Sequence, residues 1–79
     1  METGDIVTSK KGRDKGRNFI ITEIVNEKFV LTADGDLRKL NKPKLKNIKH
    51  VKYICKGDKS FINSDAGGDK RLKEYLKNF

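Results

Sequence analysis

The sequence predicts a mainly β protein: a small open barrel of about five strands with a short C-terminal helix. Three observations predict it. Short β-branched and aromatic runs recur along the first 55 residues. Gly, Asp, Asn or Pro punctuates the gaps between them. The end of the chain places Leu72, Tyr75, Leu76 and Phe79 on one face at helical spacing. With 79 residues there is room for one compact domain, and a domain of that size has a thin core in which each apolar residue counts.

Ile6-Val7-Thr8 follows Gly4-Asp5 and reads as a first strand entered from a tight turn. Gly12 and Gly16 within the polar run 9–17 mark an irregular loop, because glycine adopts positive φ cheaply. Residues 18–25 form the strongest strand. Phe19, Ile21 and Val25 fall on one face, and Ile20, Thr22 and Ile24 on the other. Two apolar faces suit a central strand of a small barrel. Asn26-Glu27 reads as a hairpin turn, and residues 29–32 as the partner strand. A second turn over residues 33–36, centred on Asp34-Gly35, leads to an expected fourth strand at 37–40.

Pro43 interrupts that run because it cannot donate to a ladder. Leu45, Ile48, Val51 and Ile54 then recur every third residue, a spacing that alone suits a helix or a 3₁₀ turn. The composition of residues 51–55 favours a fifth strand, with the preceding residues as its lead-in. Gly57-Asp58 reads as a turn and residues 60–68 as a linker. The final helix has Asp69 in N-cap position and Leu72, Tyr75, Leu76 and Phe79 on one face. The expected division is a barrel over residues 1–60, then a linker and a barrel-packed helix over 61–79. Leu72 and Leu76 should face the barrel, with Lys70, Lys73 and Lys77 exposed.

Charge points to a partner class. Lys and Arg number 19 against 11 Asp and Glu, a formal net charge of +8. So strong a bias on a short chain suits a polyanion. The charge is also segregated. Residues 10–17 carry Lys10, Lys11, Arg13, Lys15 and Arg17 with Asp14 as the one anion. Residues 38–56 carry Arg38, Lys39, Lys42, Lys44, Lys46, Lys49, Lys52 and Lys56 with no acidic residue. The remainder is net negative, which a uniformly lysine-coated surface would not show. Most of these cations are lysines, which act on phosphate as point charges, so backbone and shape recognition is expected over base reading. Stacking on single strands is disfavoured: the chain has no Trp, and Phe19, Phe29 and Phe61 are needed for the core.

Nothing in the chain suggests an enzyme, and no metal or cofactor is expected. His50 is the only histidine and has no acidic residue between Asp36 and Asp58 to partner it. Residues 12–16 lack the Gly-Lys-Ser/Thr ending of a P-loop. Cys55 is the single cysteine, so neither an internal disulfide nor a cysteine zinc site can form, and a reducing cytoplasmic setting is expected. No run approaches the ~20 apolar residues of a membrane span, and Met1-Glu2-Thr3-Gly4-Asp5 lacks the character of a signal peptide.

Gly4-Asp5-x-Val7, then Lys15-Gly16 and an apolar strand opening at Phe19, resembles a KOW motif. Asp14-Lys15-Gly16-Arg17 is its most specific part, and the resemblance covers roughly residues 3–55. It is closest to KOW proteins of the large-ribosomal-subunit type. The resemblance implies an SH3-like barrel whose first inter-strand loop, here residues 10–17, contacts RNA. Residues 63–79 have no counterpart in the bare motif. A NusG-type domain does not precede it, which weakens a transcription-factor reading.

The functional expectation is therefore an RNA-binding, ribosome-associated module acting on structured RNA. Its expected contacts are Lys10, Lys11, Gly12, Arg13, Lys15, Gly16, Arg17, Arg38, Lys39, Lys42, Lys44, Lys46, Lys49 and Lys52. The alternative is a protein-interaction module that docks a partner on the helix face, or a NusG-like transcription role.

Overall fold

A computed structural model describes residues 1–62 and 68–79 of the chain. Five antiparallel strands form one sheet: β1 (Asp5–Ser9), β2 (Asn18–Ile24), β3 (Phe29–Ala33), β4 (Lys44–Asn47) and β5 (Val51–Lys56). Their spatial order is β4-β3-β2-β1-β5. The chain thus meanders from β1 to β4, and one turn of 3₁₀ helix (Ile48–His50) returns it to the free side of β1. This is the expected mainly β, SH3-like small barrel, with β4 and β5 as its edges. Helix α1 (Gly68–Leu76) completes it.

Both faces of the sheet are buried, as the two-sided apolar pattern of β2 requires. One face packs Val7, Phe19, Ile21, Val30 and Val51 into a single cluster, with Ile48 against it. β3 and β5 lie three strands apart yet share this cluster, so the sheet is tightly curled. The other face packs Ile6, Ile20 and Ala33 against Phe61, Leu72 and Leu76, with Leu40, Cys55 and Tyr75 at its margin. Burying a side chain of this kind is worth about 1.5–3 kcal/mol, so the helix supplies a substantial part of a thin core. As expected, Leu72 and Leu76 face the barrel while Lys70, Lys73 and Lys77 are exposed.

Two bulges adjust the strand faces. The register passes from Ile21↔Thr32 to Glu23↔Leu31, leaving Thr22 as an extra residue. The face alternation expected through β2 therefore breaks. Ile24 pairs with Val30 instead of continuing the face of Ile20, and Ile24 and Val25 are largely exposed. On β5, Cys55 pairs with Ile6 and Tyr53 with Val7, so Ile54 is the extra residue. Cys55 thereby reaches the helix-covered face.

The expected strand at 37–40 does not form. The buried Asp34 carboxylate accepts the N–H groups of Asp36 (2.9 Å) and Arg38 (2.8 Å). The Arg38 carbonyl accepts from the N–H groups of Asp34 and Gly35. The backbone groups a ladder would need are spent inside this turn. β4 starts instead at Lys44, just after Pro43, where a missing donor costs little. The every-third-residue spacing is expressed as a 3₁₀ turn only at Ile48–His50. Phe29, expected in the core, is half-buried and belongs to neither cluster.

The expected linker opens with a second 3₁₀ turn, Lys59–Phe61, capped by Asp58, and Phe61 is a core residue. Residues 63–67 of that linker lie outside the described residues. Asp69, expected as N-cap, sits one residue inside the helix. Its carboxylate accepts the Leu40 N–H at 2.7 Å, while its charge still complements the helix N-terminus. The helix backbone rests directly on Gly35, whose φ is +78°; a Cβ there would overlap the Asp69 carbonyl oxygen. At the other end, Asn18 Nδ2 donates to the carbonyls of Leu76 (3.4 Å) and Phe79 (3.2 Å). Tyr75 stacks between Phe61 and Phe79 with ring centroids 4.7 and 5.2 Å away. No helix among the described residues is long and apolar enough to cross a membrane.

Leu72→Ala removes a fully buried side chain shared by sheet and helix. The expected cost is about 2–5 kcal/mol, and in a domain this small each kcal/mol lowers Tm by about 4–8 °C. Circular dichroism melting measures it. Phe79→Ala, at an exposed position, should stay near the parent; equal losses in the two variants would contradict a helix that completes the core.

Candidate nucleic-acid interface

The loop between β1 and β2, residues 10–17, is built on backbone bonds. The Ser9 N–H donates to the Arg17 carbonyl (3.0 Å), and the Gly16 N–H to the Ser9 carbonyl (2.9 Å). Within the loop, Lys15 donates to the Gly12 carbonyl and Arg17 to that of Asp14. Gly12 and Gly16 have φ of +81° and +85°, which only glycine adopts without strain. A Cβ at either would meet nothing within 4 Å. Backbone conformation, not crowding, demands glycine there, and the surface around both is open to a partner.

The one acid of the loop turns inward. Asp14 is buried, with its carboxylate 3.1 Å from Lys46 Nζ and 3.5 Å from Lys44 Nζ. Lys46 is itself only 8% exposed at its side chain. Its ammonium lies 5.2 Å over the Phe19 ring and donates to Ser9 Oγ. Burial pushes the Asp14 carboxyl up, but hydrogen bonds and charge from Lys46 and Lys44 outweigh it and hold Asp14 below the usual carboxylate range. The loop is thereby pinned to β4, and Lys10, Lys11, Arg13 and Lys15 are left exposed.

The end of the loop is latched separately. Arg17 Nη1 is 3.0 Å from the Asp34 carboxylate and 3.6 Å from that of Asp36. The Asp34 hydrogen bond raises the Arg17 pKa further above its ordinary value. Lys73 on α1 joins the group at 3.8 Å from Asp36. Loop, turn and helix thus meet at one end of the barrel.

This geometry divides the expected contact residues. Lys10, Lys11, Gly12, Arg13, Lys15 and Gly16 form an open cationic rim. The Lys10 N–H donates to the His50 carbonyl (2.8 Å), which sets exposed Lys49 and His50 beside the loop. Lys52 pairs with Thr8 and is exposed on the adjacent edge strand. On the other flank, Arg13, Arg17, Arg38 and Lys44 line a cleft of about 370 Å³ together with Asp14 and Leu37.

Four expected contacts need correction or separate placement. Lys46 is not on the surface, because the Phe19 ring and Asp14 hold it inside. Arg17 does not point freely outward, because Asp34 and Asp36 hold its guanidinium. Lys39 donates to the Gly35 carbonyl at 3.4 Å, and Lys42 is exposed on the turn entering β4. No hydrogen bond or ion pair among the described residues ties these two to the loop. The organising roles of Asp14 and Asp34 escaped sequence reasoning. The available signal was a single acid inside a run of cations, and an Asp directly before a turn glycine. Among the described residues no group of three or more His, Cys, Asp or Glu could hold a metal.

No family model matches the chain.

Asp14→Asn should lower stability by about 1–3 kcal/mol near neutral pH, because Lys46 is left buried without its carboxylate. The folded pKa of Asp14 is depressed, so its contribution is complete above the unfolded value of about 4 and is lost as pH falls through the folded value. Urea unfolding of both proteins measures the gap, which should narrow as the pH falls below the unfolded value and close once Asp14 is protonated in the folded state. A gap that persists unchanged in acid would contradict the assignment.

Proposed function

We propose that this chain is an RNA-binding module that contacts phosphates of structured RNA through the 10–17 loop and its flanks. The observation that carries the reading is the division of charge in the loop. Its one carboxylate is consumed internally by Lys46 and Lys44, while four cations stand outward around two glycines with open space beside them. A loop shaped this way offers fixed positive charge to a phosphate backbone at little ordering cost.

The chemistry favours folded RNA over single strands. Contacts from lysine to phosphate and 2′-hydroxyl groups suit shape recognition. Phe19 and Phe61 are buried, and Tyr53 is the exposed aromatic next to the basic edge, beside Lys52, so a multi-base stacking platform is lacking there. The KOW-like stretch singles out the same loop and supports a role with ribosomal RNA in the cytoplasm. The competing reading, a partner docked on the helix face, loses its main surface: Leu72 and Leu76 are spent on the barrel.

The test is the affinity for an RNA hairpin measured across a salt series. Replacing Lys11, Arg13 and Lys15 together by Ala should weaken binding and flatten the salt slope by about one unit per lost contact. Melting temperature should hardly change, since exposed charges contribute little. Unchanged affinity and slope would overturn the reading.

A further inference from the structure

Arg38 carries a feature the rim residues lack. Its backbone is locked, with its N–H on the Asp34 carboxylate and its carbonyl accepting from Asp34 and Gly35. Its side chain lines the cleft described above, and its Nε is buried without a hydrogen-bond partner among the described residues. A buried guanidinium N–H left unpaired is costly and uncommon in native proteins. The acids nearest the cleft do not supply it. Asp14 is held by Lys46 and Lys44, and Asp34 by Arg17 and the turn N–H groups.

We propose that this cleft is a phosphate clamp, in which the Arg38 guanidinium, supported by Arg13 and Lys44, holds one phosphate of the RNA backbone, its Nε–H serving as the reporter of that contact. The proposal rests on the RNA-binding reading and adds one defined anion site to it. Guanidinium binds phosphate with a planar fork that an ammonium cannot reproduce, so the residue type matters as well as the charge. Leu37 is 62% exposed at the same cleft and offers an apolar wall for the sugar attached to that phosphate. Because the 34–38 turn is closed by hydrogen bonds to the Asp34 carboxylate and the Arg38 carbonyl, the clamp fixes the register of the RNA relative to the rim, whereas the rim lysines provide general attraction.

The experiment follows the Arg38 Nε–H resonance in ¹⁵N-labelled full-length protein, titrated in parallel with an RNA hairpin and with inorganic phosphate. The clamp predicts that the hairpin moves Arg38 Nε–H together with the amides of the 10–16 rim, and that inorganic phosphate moves it at much higher concentration. Arg38→Lys keeps the charge and should still weaken hairpin binding about tenfold or more, while Lys70→Ala on the exposed face of the helix changes it little. If the rim amides move and Arg38 Nε–H does not, the clamp is wrong and the RNA reading survives. If inorganic phosphate moves it and the hairpin does not, the cleft takes a free anion and the proposal falls. If the hairpin moves neither, the RNA reading fails as well.

Discussion

A buried carboxylate among cations is the constraint on which the rest of the site depends. Asp14 ties the first loop to β4 through Lys46, and Lys46 in turn lies over Phe19 in the core. One side chain thus links the hydrophobic interior to a surface loop. Without it, a loop of five cations and two glycines would repel itself and would have many backbone conformations open to it. With it, the loop is anchored to β4, and Lys10, Lys11, Arg13 and Lys15 face outward. The ion pair does not have to add much stability to matter: buried pairs often roughly balance their desolvation cost, and here the pair selects a conformation.

A second network couples this site to the C-terminal helix. Asp34 shapes the turn that follows β3, latches Arg17 at the end of the loop and fixes the backbone of Arg38. The helix sits on Gly35 of that same turn and is held there by Asp69, with Lys73 reaching Asp36. Residues that complete the core therefore also brace the cationic end of the barrel. The helix thus serves as a structural buttress, with Lys73 tied to Asp36 and Lys70 left on its solvent-facing side.

Four of the five strands and the two-faced core were legible in the sequence because period-two alternation and turn glycines act locally. Ile6, Val7, Phe19, Ile20 and Ile21 declare their faces by position alone. The helix was legible for the same reason, through Leu72 and Leu76 at helical spacing. What was not legible required long-range partners. The fate of residues 37–40 turned on the Asp34 carboxylate capturing N–H groups, and Asp69 moved off the cap to reach Leu40. Thr22 and Ile54 carry bulges that no composition rule marks. In the site, Lys46 reads as one more surface lysine until β4 is placed beside β1 and β2, where the Phe19 ring and Asp14 claim it. The exposed rim was readable from charge; which cations would be internally neutralised was not.

Lysine footprinting with an amine-reactive acetylating reagent, read residue by residue by mass spectrometry with and without an RNA hairpin, tests the central claim most directly. In the free protein Lys46 should react slowly and the rim lysines quickly. On binding, Lys10, Lys11, Lys15, Lys49 and Lys52 should become protected, while Lys70, Lys73 and Lys77 on the helix remain reactive. Protection confined to the helix lysines, or a Lys46 that reacts as fast as Lys15 in the free protein, would contradict the account.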